Sequence, residues 1–131
     1  MKKDIKIPEV KDVYIVVVKD KIKEADTYEW SVYVINNSAS NLETVIIVSE
    51  GFSETKKTST LRKKIDLLPK KSFAKIEIIQ EELFGFSNQY KVSYFKDNQL
   101  FDKTFVFKPN SIKSENHKSI PLIEREGILA T

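Results

Sequence analysis

The sequence contains no cysteine and only one histidine, His117, among its 131 residues. Without cysteine, a disulfide framework, Cys-based zinc sites and thiol chemistry are all excluded. One histidine in a polar stretch makes a zinc or non-haem iron site unexpected. The three glycines do not form a phosphate-binding loop or a nucleophile elbow. We therefore predict no catalytic residues, no cofactor and no metal.

Long apolar runs are also missing. The longest, Val13 to Val18, is far shorter than a bilayer requires. The basic N-terminus lacks the apolar segment of a secretory signal. We therefore expect a cytoplasmic protein without membrane association. Hydrophobic residues make up 40% and charged residues 31% of the chain, which is typical of one soluble globular domain.

Residues 28–49 define the expected fold. Two runs rich in β-branched and aromatic residues flank Asn-Asn-Ser-Ala-Ser-Asn, a cluster of turn formers. Alternation places Trp30, Val32 and Val34 on one face of the first strand, with Ser31, Tyr33 and Ile35 on the other. This pair predicts the centre of a β-sandwich.

Further strands are expected on both sides of this pair. Residues 1–9 form an extended lead-in, and 13–18 read as a strand buried on both faces. Residues 58–67 predict an edge strand with Leu61, Ile65 and Leu67 inward, and 73–79 a strand with Ala74, Ile76 and Ile78 inward. Residues 81–86 predict one helical turn.

Residues 89–108 form the clearest hairpin. Asp97-Asn98 suits a two-residue turn because both residues tolerate the left-handed conformation. This turn pairs Tyr94 with Phe101 and Tyr90 with Phe105, which separates the aromatic face from the polar one. About seven strands then predict an all-β, antiparallel two-sheet sandwich of the immunoglobulin or fibronectin III kind. An up-and-down barrel is the alternative.

The C-terminal part has a different pattern. We divide the chain into a β-sandwich domain, 1–109, and a segment, 110–131, with a polar linker followed by an apolar end. A solvated tail has no need of apolar residues, so this segment is expected to bind either its own domain or a partner. The candidate interface residues are Ile120, Leu122, Ile123, Ile128 and Leu129.

Positive charge is concentrated in residues 54–75, with eight basic residues against two acidic ones. Such a cluster could bind phosphates, although lysines also protect sheet edges from aggregation, and alternation splits the set between two faces. The candidate polyanion patch is Lys56, Lys57, Arg62 and Lys64.

Four segments carry a family resemblance: I-P-E-V-K-D-V-Y-I (7–15), K-T-S-T-L-R (57–62), K-S-F-A-K-I-E (71–77) and E-G-I-L-A (126–130). Together they resemble a family of short uncharacterised bacterial proteins, some of which carry the label phenylalanyl-tRNA synthetase subunit alpha. The resemblance implies no site residues. If the label applies, it implies an accessory tRNA-contacting module in which the cations of 54–75 supply the contact.

Two functions follow as expectations. The first is a non-enzymatic protein-binding or structural module whose partner is another protein or a second copy of the chain. The alternative is an RNA- or polyanion-binding accessory domain, although nucleic acid is the less expected partner because the chain's net charge is only +3.

Overall fold

The computed structural model describes residues 8–131, so most of the predicted lead-in (1–9) lies outside the described residues. This part of the chain forms two antiparallel sheets, which confirms the all-β two-sheet sandwich. The immunoglobulin or fibronectin III type stays a prediction. The strands are β1 (Val13–Ile22), β2 (Thr27–Asn36), β3 (Leu42–Phe52), β4 (Leu61–Leu68), β5 (Ser72–Ile79), β6 (Ser87–Lys96), β7 (Gln99–Phe107), β8 (Lys118–Ser119) and β9 (Glu126–Leu129). Two single 3-10 turns, Glu81–Leu83 and Ser114–Asn116, interrupt them.

The first sheet has the order β5-β2-β1-β9-β8 and the second the order β4-β3-β6-β7. The edge position predicted for β4 is therefore confirmed. The C-terminal strand β9 lies beside β1, where Ile128 pairs with Val17. No helix within residues 8–131 is long and apolar enough to cross a membrane.

The hairpin register is confirmed in full. Tyr94 pairs with Phe101 and Tyr90 with Phe105. Asp97 and Asn98 both have positive φ, 52° and 62°, because a type I′ turn requires it at both central residues. The rings of Tyr94 and Phe101 stack with centroids 5.3 Å apart. This arrangement contributes about 1 kcal/mol of stability beyond that from burying the two rings.

The core between the sheets contains the residues that alternation placed there. Val32 and Val34 are fully buried in it, together with the hairpin aromatics, and Trp30 packs against it from a partly buried position. Trp30 also meets Phe84 edge-on at 5.4 Å and His117 at 6.5 Å between ring centroids. His117 is therefore partly covered, although it lies in a polar stretch of the sequence.

A second apolar cluster lies on the outer face of the first sheet. Val16, Val18 and Ile35 form its base, and Ile120 and Ile123 from the C-terminal segment cover them. This cover explains why β1 is buried on both faces, as its unbroken apolar run predicts. The C-terminal segment thus completes the fold by packing on its own domain.

A bulge in β5 overturns one inward assignment. Val32 pairs with Glu77 while the next residue, Tyr33, pairs with Lys75, so one extra residue is inserted and the alternation reverses beyond it. Ile78, predicted to be inward, is 43% exposed, and Ile79 is buried in its place. Glu77 consequently lies on the inner face of its sheet.

A second irregularity changes which residue at the end of β4 faces the core. The pairing of β3 with β6 shifts between Glu43 and Ile46, and Thr44 has a φ of 49°. The core-facing residue at the end of β4 is therefore Leu68, which pairs with buried Leu42. Leu67, predicted to be inward, is 48% exposed.

The two sides of the sandwich differ. On one side the chain's end bridges both sheets, since Ala130 donates to the carbonyl of Ile15 and Thr131 exchanges two backbone hydrogen bonds with Val106 of β7. On the other side, β4 and β5 are the edges of different sheets and are joined by the turn at 69–71. Of the described residues, none adds a further strand to either edge. This side is open.

Candidate functional site

A cleft of about 600 Å³ lies on the open side, between the beginning of β4 and the end of β5. It is far from the 69–71 turn. That turn joins the end of β4 to the beginning of β5, whereas the cleft lies at the opposite ends of the two strands. Its volume is within the range of small-molecule binding sites. The lining residues are Ser49, Glu50, Gly51, Lys57, Thr58, Ser59, Thr60, Leu61, Glu77, Ile78, Ile79, Leu83, Asn88 and Tyr90.

Inner-face side chains are uncovered in this cleft. Leu61 pairs with buried Ser49, so its side chain lies on the core side of the second sheet, yet it is 39% exposed. Glu77, opposite Val32 in the first sheet, is also on the core side. The cleft is therefore an unfilled end of the space between the sheets.

The Glu77 carboxylate accepts one hydrogen bond, 2.7 Å from the Tyr90 hydroxyl to Oε2. Tyr90 is only 2% exposed. Burial raises the pKa of Tyr90 far above its usual value, and the negative charge and hydrogen bond of Glu77 raise it further. Tyr90 is consequently a permanent donor that holds Glu77 in place.

The second carboxylate of the cleft, Glu50, already has a cationic partner. Thr60 donates to it at 2.7 Å, and Lys57 forms a salt bridge with it at 3.0 Å. The pKa of Glu50 is lowered by the hydrogen bond from Thr60 and then by that from Lys57. The two carboxylates of one cleft therefore have different partners.

The predicted polyanion residues do not form one cluster. Lys57 is engaged with Glu50 at the rim of the cleft, and Lys64 lies 3.5 Å from Asp66. Arg62 and Lys64 pair with Val48 and Ile46, on the outer face of the second sheet. Lys56 is exposed in the preceding loop.

The predicted interface residues lie within the fold. Ile128 belongs to the core between the sheets. Ile120 and Ile123 are buried in the outer cluster, and Leu122 and Leu129 pack against it in partly buried positions. The structure thus places all five on their own domain.

Arg125 fastens this C-terminal segment to β1. It forms a salt bridge with Asp20, and Tyr33 donates a 2.8 Å hydrogen bond to the other oxygen of the same carboxylate. Burial raises the pKa of Asp20, but the hydrogen bonds from Arg125 and Tyr33 outweigh it, so the pKa is lowered overall.

We expect Asp20→Asn to remove a pH-dependent part of the stability. Because the folded-state pKa of Asp20 is below its ordinary value of 3.8, its stabilisation is complete above that value and is lost as the pH falls through the folded-state pKa. At neutral pH the substitution should lower the free energy of unfolding by about 1 kcal/mol, discounted for partial exposure. Urea unfolding at neutral and acidic pH measures this effect.

Asp26→Asn is the matched control, because the salt bridge of Asp26 to Lys21 spans 3.7 Å and its side chain is 94% exposed. This control should leave the urea midpoint unchanged at both pH values. The prediction would be contradicted if both variants lost the same free energy of unfolding. It would also be contradicted if the stability difference between Asp20→Asn and the parent stayed constant down to strong acid.

Sequence reasoning missed Glu77 as a site residue and assigned Tyr90 to the core alone. Strict alternation sends Glu77 outward, and only the bulge in β5 brings it inward. The adjacent pair Ile78-Ile79 was the available signal, because two neighbouring apolar residues at a strand end break the period of two.

Scans against protein-family models, curated proteins and solved structures found no match for this chain. The function must therefore follow from the chemistry of the cleft and of the open edges beside it.

Proposed function

We propose that this protein is a non-enzymatic protein-binding module that receives an extended segment of a partner along β5. The observation that carries the proposal is the open side, where two inner-face residues, exposed Leu61 and half-buried Glu77, line the cleft. Its opposite side is covered by the chain's own C-terminus. A strand added to a free sheet edge supplies backbone hydrogen bonds, while pockets for alternate side chains supply specificity.

Of the two open edges, β5 suits a partner better than β4. Positive charges follow one another on β4 at Arg62, Lys63 and Lys64, which is typical of an edge protected against pairing. On β5 the exposed large side chains are apolar, Phe73 and Ile78. The lysine between them, Lys75, is held by Glu29 at 2.9 Å.

Polyanion binding, the role that the synthetase label implies, is the second candidate. One arrangement favours it: Arg62 and Lys91 both pair with Val48 and so flank it on the outer face of the second sheet. A phosphate backbone would bind there rather than at the cleft. For either function we keep the cytoplasm as the proposed compartment.

A photo-crosslinking amino acid at position 78 tests the proposal. In extracts of the source cell we expect covalent adducts from this position, because Ile78 lies at the rim of the cleft on β5. These adducts should survive nuclease treatment, because the proposed partner is a protein. The matched control places the same amino acid at Phe95, which is 41% exposed but lies on β6 in the other sheet. It should give few adducts.

The outcomes separate the candidates. Adducts that disappear with nuclease, or that form only from position 95, would contradict binding along β5 and favour the polyanion surface. Adducts of twice the chain's own mass would identify the partner as a second copy. No adduct from position 78 would contradict the proposal.

A further inference from the structure

We infer that the cleft takes the alkyl-ammonium side chain of a lysine from the bound partner segment, with Glu77 as its anionic contact. The identification of the ligand as a lysine of a partner rests on the proposed function, whereas the preference of the cleft for an alkyl-ammonium group does not.

Glu77 has no salt-bridge partner in the described part of the chain. None of the lysines or arginines of residues 8–131 forms a salt bridge with it, whereas Glu50 in the same cleft has Lys57. Glu77 is half-buried, and partial withdrawal of a carboxylate from water costs free energy unless a cation or hydrogen bonds compensate. A bound ammonium supplies that compensation.

The hydrogen bond from Tyr90 determines which cation fits. It occupies Oε2 of Glu77 and leaves Oε1 for the ligand. An ammonium is a point charge that can use one oxygen, whereas a guanidinium binds best through two parallel hydrogen bonds to both oxygens. The geometry therefore favours lysine over arginine.

The walls of the cleft match the stem of a lysine. Leu61, Ile79 and Leu83 contribute apolar surface beside the carboxylate, and Leu61 is 39% exposed. A lysine commonly lays its four methylenes along apolar surface with its charge at the end. This cleft offers the same combination, with the charge directed to Glu77.

The position of Glu77 on β5 connects the cleft to strand addition. In an added antiparallel strand, one side chain lies directly opposite Glu77 on the same face, at the distance where opposite charges stabilise a sheet. That side chain is the one that enters the cleft. The partner segment is therefore expected to carry a lysine at the one position that lies directly opposite Glu77.

The test uses small probes, so that it does not require the partner. Nα-acetyl-lysine methylamide, its norleucine analogue and its arginine analogue are titrated into the ¹⁵N-labelled protein by NMR. We expect saturable shifts of the Leu61, Glu77 and Tyr90 amides, with the lysine probe binding about fivefold more tightly than norleucine because of its charge-assisted hydrogen bond. Glu77→Gln should abolish this difference, and Asp102→Asn, which removes a carboxylate on β7 outside the cleft, should leave it unchanged.

A second variant keeps the inference testable if Glu77→Gln fails to fold. Tyr90→Phe frees Oε2 of Glu77, so the arginine probe should gain affinity relative to the lysine probe. Equal binding of lysine and norleucine, a preference that survives Glu77→Gln, or shifts confined to another face would overturn the inference. If the probes behave as expected but position 78 gives no protein adducts, the proposed function fails and the ammonium site stands.

Discussion

Deletion of residues 119–131 is expected to abolish cooperative unfolding of this domain. The deletion removes Ile120, Ile123 and Ile128, which are buried in two different clusters, and it uncovers the outer face of β1. Each such isoleucine contributes about 2–5 kcal/mol, so the combined loss of more than about 6 kcal/mol is comparable to the whole stability of a typical domain. Urea unfolding followed by Trp30 fluorescence and circular dichroism measures it.

Deletion of residues 130–131 alone is the control. It removes the backbone hydrogen bonds of Ala130 and Thr131 with Ile15 and Val106 but leaves the buried isoleucines in place. We expect it to unfold cooperatively at a moderately lower urea concentration. A 119–131 deletion that keeps the parent midpoint would contradict the packing of this segment on its own domain.

Gly127→Ala is expected to separate β9 from β1 and to cost about 2–3 kcal/mol, the upper part of the range for overpacking. A Cβ atom at this position would lie 2.7 Å from the carbonyl oxygen of Val17 and 3.1 Å from methyl groups of Val16 and Val18. Because the nearest atom belongs to the backbone of a buried strand, a side-chain rotation cannot relieve the contact. Thermal or urea unfolding measures the loss.

Gly85→Ala is the matched control for the same chemical change. The nearest atom to its added Cβ would be Oδ1 of Asn110 at 3.9 Å, an ordinary contact distance. We expect a change within about 0.5 kcal/mol. Equal stability of the two alanine variants would show that β9 does not lie against β1 as described.

These two predictions also concern the proposed binding side. The C-terminal segment covers the outer face of the first sheet and closes the side at β7, opposite the side where β4 and β5 are the edges. A variant with β9 detached would expose a second edge at β1. Binding along β5 is therefore best measured in proteins with an intact C-terminus.

Much of the fold followed from local pattern. The hairpin at Asp97-Asn98 was predicted to the residue, because a two-residue turn sets the register and the register separates aromatic from polar side chains. The unbroken apolar run of β1 correctly indicated burial on both faces. The same pattern did not reveal what covers the second face.

The candidate site was much less predictable. Glu77 faces the cleft only because one extra residue in β5 reverses the alternation, and a bulge is defined by how two strands pair, with two residues of one opposite one residue of the other. The same cause misplaced Ile78. The exposure of Leu61 depends on how far the first sheet extends over it, and no local sequence pattern encodes that.

By itself, the sequence determined the sandwich, its hairpin and the absence of cysteine chemistry, since these depend on residue type and on a period of two along single strands. Only the tertiary structure decided that the apolar end packs on its own domain, that β5 is a sheet edge with no further strand from residues 8–131, and that Glu77 and Tyr90 meet in a cleft. These features depend on contacts between residues distant in the chain, where the pairing of one strand shifts the side chains of another.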